Sequence, residues 1–271
     1  MSKKSTVQNM ALFCDFENIA IGVEEAKYAA FDVSKVLERL LLKGDIVVKK
    51  AYCDWNRYRK FKASMHEAAF ELIDIPHLRV SGKNSADIRM VVDALDLCYT
   101  KAHVDTFVII SGDSDFSPLV SKLRENNKTV IGVGVKNSTS ELLTSNCDEF
   151  IYYDDLVRQT EKKGKSVSRR STGKTKAKEG PDKGEVRRQK GLDLVVSTTD
   201  DLLRERGEEE TLWGSMVKQT LKRRKPSFNE TYYGFQTFGD LLEEAQSRGL
   251  MKLEHDKKSG GYIIKNLPHG D

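Results

Sequence analysis

The sequence predicts an α/β fold, a doubly wound and mainly parallel sheet, followed by a small C-terminal winged-helix domain. Three observations lead there. Short β-branched or apolar runs alternate with longer segments of helical period over the first 157 residues, the pattern of βαβ crossovers. Apolar periodicity then disappears over a basic, polar stretch. It returns near Leu192 as three helical segments and a closing pair of short strands.

Taken in order, Met10 to Cys14, Ile46 to Cys53, Leu78 to Val80, Thr106 to Ser111 and Thr129 to Val135 read as strands, and Glu149 to Tyr153 closes the domain. Helical segments lie between them. The clearest runs from about Ser85 to Ala102, where Ile88, Val91, Val92, Leu95, Cys98 and Tyr99 make one apolar stripe that is expected to pack on the sheet. Right-handed crossovers then cover both sheet faces. From 158 to 190 the chain is rich in Lys, Arg, Ser, Thr and Gly and reads as a flexible linker. The second domain, 191–267, starts with helices at Leu192 to Arg206, Leu212 to Arg224 and Thr237 to Arg248. Gly249 stops the third helix. Strands Met251 to His255 and Tyr262 to Lys265 form a hairpin around the turn chemistry of Asp256 to Gly261. Residues 268–271 are a tail.

Charge follows the same partition. Residues 1–157 carry 20 basic and 23 acidic side chains, 158–190 carry 13 and 4, and 191–271 carry 12 and 14. A tether with this excess of cations attracts polyanions by releasing their counterions, or is simply a solvated connector. Cys14, Cys53, Cys98 and Cys147 are too far apart for a CxxC metal or redox site and are expected to be reduced and partly buried. Lys3 and Lys4 precede a polar stretch, and Asp15 interrupts the first apolar run. Neither a signal peptide nor a membrane span is expected, and the expected location is cytoplasmic.

In an open parallel sheet ligands bind beyond the carboxyl ends of the strands, and acids recur at those positions. Asp15 ends the first strand, Asp54 follows the second, and Asp113 and Asp115 follow the fourth. Asp87 lies in the first turn of the helix after the third. Carboxylates gathered at one rim repel one another unless a cation intervenes. All-oxygen ligands with no His or Cys pattern nearby favour Mg²⁺ or Mn²⁺ over zinc. Such an ion on Asp15, Asp87 and Asp113 would activate a water against a phosphodiester, and a second ion roughly 4 Å away would stabilise the leaving oxygen. Asn18, one helical turn past Asp15, would orient a water or phosphate, with Lys83 and Ser111 as further positioning groups. Gly112 lets the backbone approach closely.

Each acid also has a structural explanation. Asn84 and Asp87 have capping-box spacing, and Asp115 before Phe116-Ser117-Pro118 suits a helix cap. Capping leaves Asp15 and Asp113, at the ends of two central strands, without an explanation. Asp93 and Asp96 fall off the apolar stripe and read as a solvated face. His66, His77 and His103 are scattered, and core or surface roles suit them better than catalysis.

Four motifs together resemble the NYN domain, a branch of the PIN-like nucleases, over residues 9–156. They are Cys14-Asp15-Phe16-Glu17-Asn18-Ile19, Gly82-Lys83-Asn84-Ser85-Ala86-Asp87-Ile88-Arg89, Ser111-Gly112-Asp113-Ser114-Asp115-Phe116 and Cys147-Asp148-Glu149-Phe150-Ile151-Tyr152. The resemblance implies a PIN-like fold and Mg²⁺- or Mn²⁺-dependent cleavage of RNA. Asp15, Asp87 and Asp113 are then the catalytic metal ligands, joined by Asp115, and Asp54 matches a less uniform fourth acid. Residues 191–267 resemble the LOTUS or OST-HTH domain through Leu221-Lys222-Arg223-Arg224 with Pro226-Ser227-Phe228, Tyr233-Gly234-Phe235 with Phe238-Gly239-Asp240-Leu241-Leu242, and Gly261-Tyr262-Ile263-Ile264. That resemblance implies binding of RNA or a protein partner. Lys222, Arg223, Arg224 and Lys225 form a compact basic edge suited to a phosphate backbone, while Phe235 and Phe238 read as core.

The expected function is therefore a metal-dependent ribonuclease with a C-terminal binding module. The alternative is an RNA-binding adaptor with little turnover. A receiver-like phosphotransfer domain also gathers acids at strand ends and needs a lysine across the rim. Lys136 follows the fifth strand, but an Asp87 that opens a helix fits that scheme poorly.

Overall fold

The computed structural model describes residues 8–76, 84–158, 183–206, 211–256 and 260–266. The chain divides into two compact units, Met1–Arg170 and Ser171–Asp271. In the first, strands β1 (Gln8–Asp15), β2 (Gly44–Cys53), β3 (Glu71–Asp74), β4 (Thr106–Ile110), β5 (Thr129–Gly134) and β6 (Glu149–Tyr152) form one sheet in the order β3-β2-β1-β4-β5-β6. All of these pairings are parallel. Helices α1 (Phe16–Glu25) and α2 (Val33–Leu41) follow β1, α3 (Lys62–Glu67) follows β2, and α4 (Ser85–Thr100), α5 (Ser117–Glu125) and α6 (Glu141–Asn146) connect the later strands. A last helix, α7, spans 153–158.

Alternation along β1 builds two cores. Met10, Leu12 and Cys14 face α1 and α2, meeting Ile19, Val23, Val36 and Leu40. Ala11 and Phe13 face the opposite layer, where Met90, Ala94 and Cys98 of α4 and Leu119, Val120 and Leu123 of α5 pack. With both faces covered, the central strands are apolar throughout, as a parallel sheet requires. The strand order reverses between β1 and β4, and this switch point is where such sheets bind ligands.

Three features differ from the sequence expectation. The strand expected at Leu78 to Val80 lies outside the described residues, and the third strand observed is Glu71–Asp74, in register with Lys50–Cys53 of β2. Helix α4 forms where expected, and Val91, Leu95 and Cys98 of the expected stripe do meet the sheet-side core, but the buried face is rotated to centre on Met90 and Ala94. Met90, Ala94 and Cys98 are buried, whereas Ile88, Val92 and Tyr99 are 63%, 55% and 64% exposed. Small residues at 94 and 98 let the helix axis approach the sheet, with Val91, Leu95 and Leu97 packed at the margin of the same core. Asp93, expected on a solvated face, is instead a hub: it accepts from the Tyr52 hydroxyl at 2.9 Å, Arg89 Nε at 3.0 Å and Lys50 Nζ at 3.4 Å. A half-buried carboxylate placed over the edge of the sheet requires such partners.

The second unit contains α8 (Lys183–Arg206), β7 (Leu212–Trp213), α9 (Gly214–Arg224), α10 (Phe238–Ser247), β8 (Lys252–His255) and β9 (Tyr262–Asn266). Its strands form a small antiparallel sheet in the order β7-β9-β8. Leu192, Val195, Val217, Leu221, Phe235, Phe238, Leu241 and Leu242 share its core, so Phe235 and Phe238 are core residues as expected. Thr237 and Asp240 form a reciprocal capping box at the start of α10, and Gly249 follows its end at φ 71°, a conformation that favours glycine. Two boundaries shift. Leu212 and Trp213 pair with β9 as a short strand instead of opening a helix. Helix α8 begins at Lys183, inside the stretch read as a linker, of which 159–182 lie outside the described residues, as do Lys83 and the tail 268–271. The early turns of α8 are held by contacts that apolar periodicity does not register. Arg187 and Arg188 stack on the rings of Tyr232 and Phe235, and Glu185 pairs with Arg248 at 2.8 Å.

All four cysteines are buried and free. Among the described residues, no helix is long and apolar enough to cross a membrane.

Candidate active site

The parallel register of β1 and β4 pairs Cys14 with Ile110, so the next residue of each strand, Asp15 and Ser111, emerges side by side at the carboxyl rim of the switch point. The Ser111 hydroxyl donates to Asp15 Oδ2 at 3.0 Å and accepts from the Asp113 amide at 3.2 Å. Ser111 is fully buried. Its hydroxyl bridges the Asp15 carboxylate and the Asp113 backbone amide, which ties the two strand ends together. On the other side, the Asn18 amide donates to Asp15 Oδ1 at 3.3 Å, and the Asn18 side-chain carbonyl accepts from the Gly112 amide at 2.8 Å. Asn18 thus latches α1 to the loop after β4, which leaves only its amide end for a water or phosphate.

The capping roles are the reverse of those the sequence suggested. Asp15 itself caps α1, and Asp113 caps the short turn Ser114–Phe116 by accepting from the Asp115 amide at 2.9 Å. Asn84 stands at the start of α4 with no side-chain cap bond. Asp87 is therefore not half of a capping box, and its carboxyl lies where the charges of Asp113, Asp115 and Glu17 act on it.

Electrostatics bind the acids into one group. Asp15 is pushed up to about 7, first by burial and then by the Asp87 charge, with a smaller push from Asp113 that works against the Asn18 and Ser111 hydrogen bonds. Asp87 is pushed up to about 6 by burial and by the charges of Asp113, Asp115 and Glu17. Asp87 and Asp113 thus act on Asp15, and Asp113 and Asp115 act on Asp87. Glu17 in the first turn of α1 is an added member that position relative to the strands did not single out. Asp54 lies in the turn after β2, where its carboxylate accepts from the Asn56 amide at 3.0 Å.

Among the described residues, no three acidic, imidazole or thiol side chains converge closely enough to clasp an ion as they stand. An open, all-oxygen rim suits a hard cation that keeps several waters and takes one or two carboxylates plus substrate oxygens, the habit of Mg²⁺, better than it suits a closed zinc cage. The raised Asp15 and Asp87 carboxyls point the same way, because a bound cation would offset the repulsion that raises them. Cys14, next to Asp15, is pushed up chiefly by burial and makes a poor nucleophile. In the second unit, Arg223, Arg224 and Lys225 are exposed at the end of α9 and Lys222 is half-buried, with Arg224 paired to Asp201.

Gly112 allows the loop after β4 to pack closely on the segment 138–140. A methyl group there would meet the Ser138 carbonyl oxygen at 2.4 Å, and the Gly112 carbonyl accepts from the Ser140 amide at 2.9 Å. Gly112→Ala is expected to destabilise the first unit by about 1–3 kcal/mol and to displace Asp113. A urea midpoint equal to wild type would show that the loop yields freely.

Comparison with known proteins adds three findings. The sequence pattern of the NYN domain matches residues 9–157. An uncharacterized protein of Methanocaldococcus jannaschii is 28% identical over 149 residues, which are 55% of this chain and 57% of that protein, so the match spans little more than half of the relative. The crystal structure of a protein of unknown function from Vibrio parahaemolyticus aligns with a TM-score of 0.51 at 26% identity, covering 57% of this chain and 98% of that one.

Proposed function

Because the chain belongs to the NYN domain family through residues 9–157, within the PIN-like nucleases, we propose that it is a metal-dependent ribonuclease that hydrolyses RNA phosphodiester bonds at the β1–β4 rim. The observation that carries this reading is the set of mutually coupled carboxylates Asp15, Asp87 and Asp113 at the switch point of a parallel sheet. Asp15, Asp87 and Asp113 would hold Mg²⁺ or Mn²⁺, with Asp115 beside them and Asp54 at the margin. When bound, the cation lowers the pKa of a coordinated water and neutralises phosphate charge. Ser111 and Asn18 keep Asp15 fixed through the reaction, so that little reorganisation is needed as charge develops. The N-terminal turn of α1 lies directly behind Asp15, and its partial positive charge favours an anionic substrate there.

The second unit serves in this scheme as a LOTUS-like winged-helix module. It holds RNA, or a protein partner, through the basic edge Lys222 to Lys225, and the basic stretch between the units raises the local concentration of substrate. Four buried thiols without a disulfide agree with a cytoplasmic setting. The second reading, an RNA-binding adaptor with little turnover, is favoured by the spacing of the acids, no three of which, among the described residues, are close enough to clasp an ion, since a loosely held cation binds phosphates without necessarily cleaving them. Incubation of the full chain with end-labelled single-stranded RNA and Mn²⁺ separates the two. Product that EDTA abolishes supports the nuclease, and tight binding with no product over hours supports the adaptor.

A further inference from the structure

The segment leaving β2 reads Asp54-Trp55-Asn56-Arg57-Tyr58-Arg59-Lys60-Phe61-Lys62, aromatic and cationic residues in alternation. Its aromatic members anchor on Phe16, the residue that follows Asp15. The Trp55, Phe61 and Tyr58 rings lie 4.9, 5.1 and 5.6 Å from the Phe16 ring, and Trp55 is fully buried. With the aromatic side chains turned inward, Arg57, Arg59 and Lys60 are exposed. Arg57 Nη1 lies 2.9 Å from Glu17 Oε1, which fixes the near end of the cationic run to the first turn of α1, beside the acid rim. Arg57 and Lys60 also lie over the Tyr58 and Phe61 rings, so the charges are carried on a braced surface. Four cations and no acid between 57 and 62 stand out in a region, 1–157, whose acids outnumber its bases.

We propose that this loop is the track for the phosphodiester backbone of single-stranded RNA as it enters the rim, with Arg57, Arg59 and Lys60 each neutralising one phosphate flanking the bond to be cut. The assignment rests on the RNA reading above and adds a second cationic contact, separate from the C-terminal basic edge. An acidic metal rim repels the very polymer it must receive, and a cationic rail fixed next to it supplies the missing attraction. Phosphate competes with Glu17 for Arg57, so arrival of substrate would release Glu17 toward the rim.

The experiment uses the full chain carrying Asp113→Asn, which prevents cleavage during titration, and a fluorescein-labelled oligouridylate read by anisotropy across a salt series. The triple change Arg57→Ala, Arg59→Ala, Lys60→Ala should weaken binding about tenfold or more. Losing three phosphate contacts should lower the slope of log affinity against log salt by about 2. A second variant, Arg59→Glu with Lys60→Glu, keeps the Arg57–Glu17 pair and every buried ring, and should weaken binding at least as much, with circular dichroism matching wild type. In the cleavage-competent chain the same changes raise KM about tenfold and leave kcat nearly unchanged, as expected for uniform substrate binding. Unchanged affinity and salt slope in both variants would overturn the track, as would an absence of RNA binding by the parent chain. If Mn²⁺ yields no product but the loop variants lose affinity, the nuclease reading fails and the track stands. If loop variants bind and cleave like wild type while Asp113→Asn is inactive, the track alone fails.

Discussion

Asp113→Asn is expected to reduce Mn²⁺-supported cleavage of single-stranded RNA by roughly three orders of magnitude, a loss of about 4 kcal/mol of transition-state stabilisation. The substitution is close to isosteric. The remaining side-chain oxygen can still accept from the Asp115 amide, so the turn Ser114–Phe116 keeps its cap and the fold should be unaffected. What disappears is one negative charge from the group that acts on Asp15 and Asp87. The same replacement at Asp54 removes a charge whose carboxylate is committed to the Asn56 amide, and should reduce the rate no more than severalfold. A gel of end-labelled product against time for the two variants, with EDTA as the blank, is a direct comparison. Equal activity in Asp113→Asn and wild type would sink the nuclease assignment, and equal loss in both variants would mean that the rim extends further along β2 than proposed.

Much of this site was legible because strand ends are legible. A β-branched run that stops at an Asp, as at Phe13-Cys14-Asp15 and Ser111-Gly112-Asp113, locates a carboxylate along the chain, and parallel topology puts all such ends at one rim. The sequence could not show which acids are also caps. Asp15 and Asp113 take capping roles of the kind that position alone assigned to Asp87 and Asp115, and Asn84 makes no side-chain cap bond at the start of α4. The face of α4 is legible only in part: Val91, Leu95 and Cys98 pack as their spacing implies, but Met90 and Ala94 complete the buried face in place of Ile88, Val92 and Tyr99, because the small Ala94 and Cys98 allow the helix to approach the sheet along that line. The early turns of α8 escaped because guanidinium stacking and ion pairs leave no apolar period. The 54–62 segment left a signal that was readable but unused, its alternation of rings and cations. In bulk charge it is masked by the far more basic stretch 158–190.

The acids should also make the metal-free protein less stable as pH rises, and Asp15→Asn should remove most of that effect. Asp15 titrates at about 7 in the folded chain against about 3.9 when unfolded. Between those values the folded state holds more protons than the unfolded one, so stability declines through that window and the full penalty is present above it. Three pKa units set a ceiling of about 4 kcal/mol, and relaxation of the rim will reduce it. Asp87, raised to about 6, acts in the same direction over a narrower span. Asp15→Asn preserves the shape, lets its amide donate to Ser111 and cannot ionise. In EDTA at pH 8 the variant should therefore unfold at higher urea than wild type, while near pH 4 the two should converge. Mn²⁺ should raise the wild-type midpoint at pH 8 by binding the folded state alone, and should do little for Asp15→Asn. The chain has two tryptophans, Trp55 and Trp213, one in each unit, so a Trp213→Phe background makes fluorescence report the first unit only. A wild-type midpoint that is the same at pH 5 and pH 8 in EDTA would mean that the carboxylates are not strained against one another. A midpoint that rises with Mn²⁺ equally in wild type and Asp15→Asn would place the cation elsewhere. The pH dependence and the metal response therefore test the same physical statement, that this rim is destabilising when empty of countercharge and relieved when a cation supplies it.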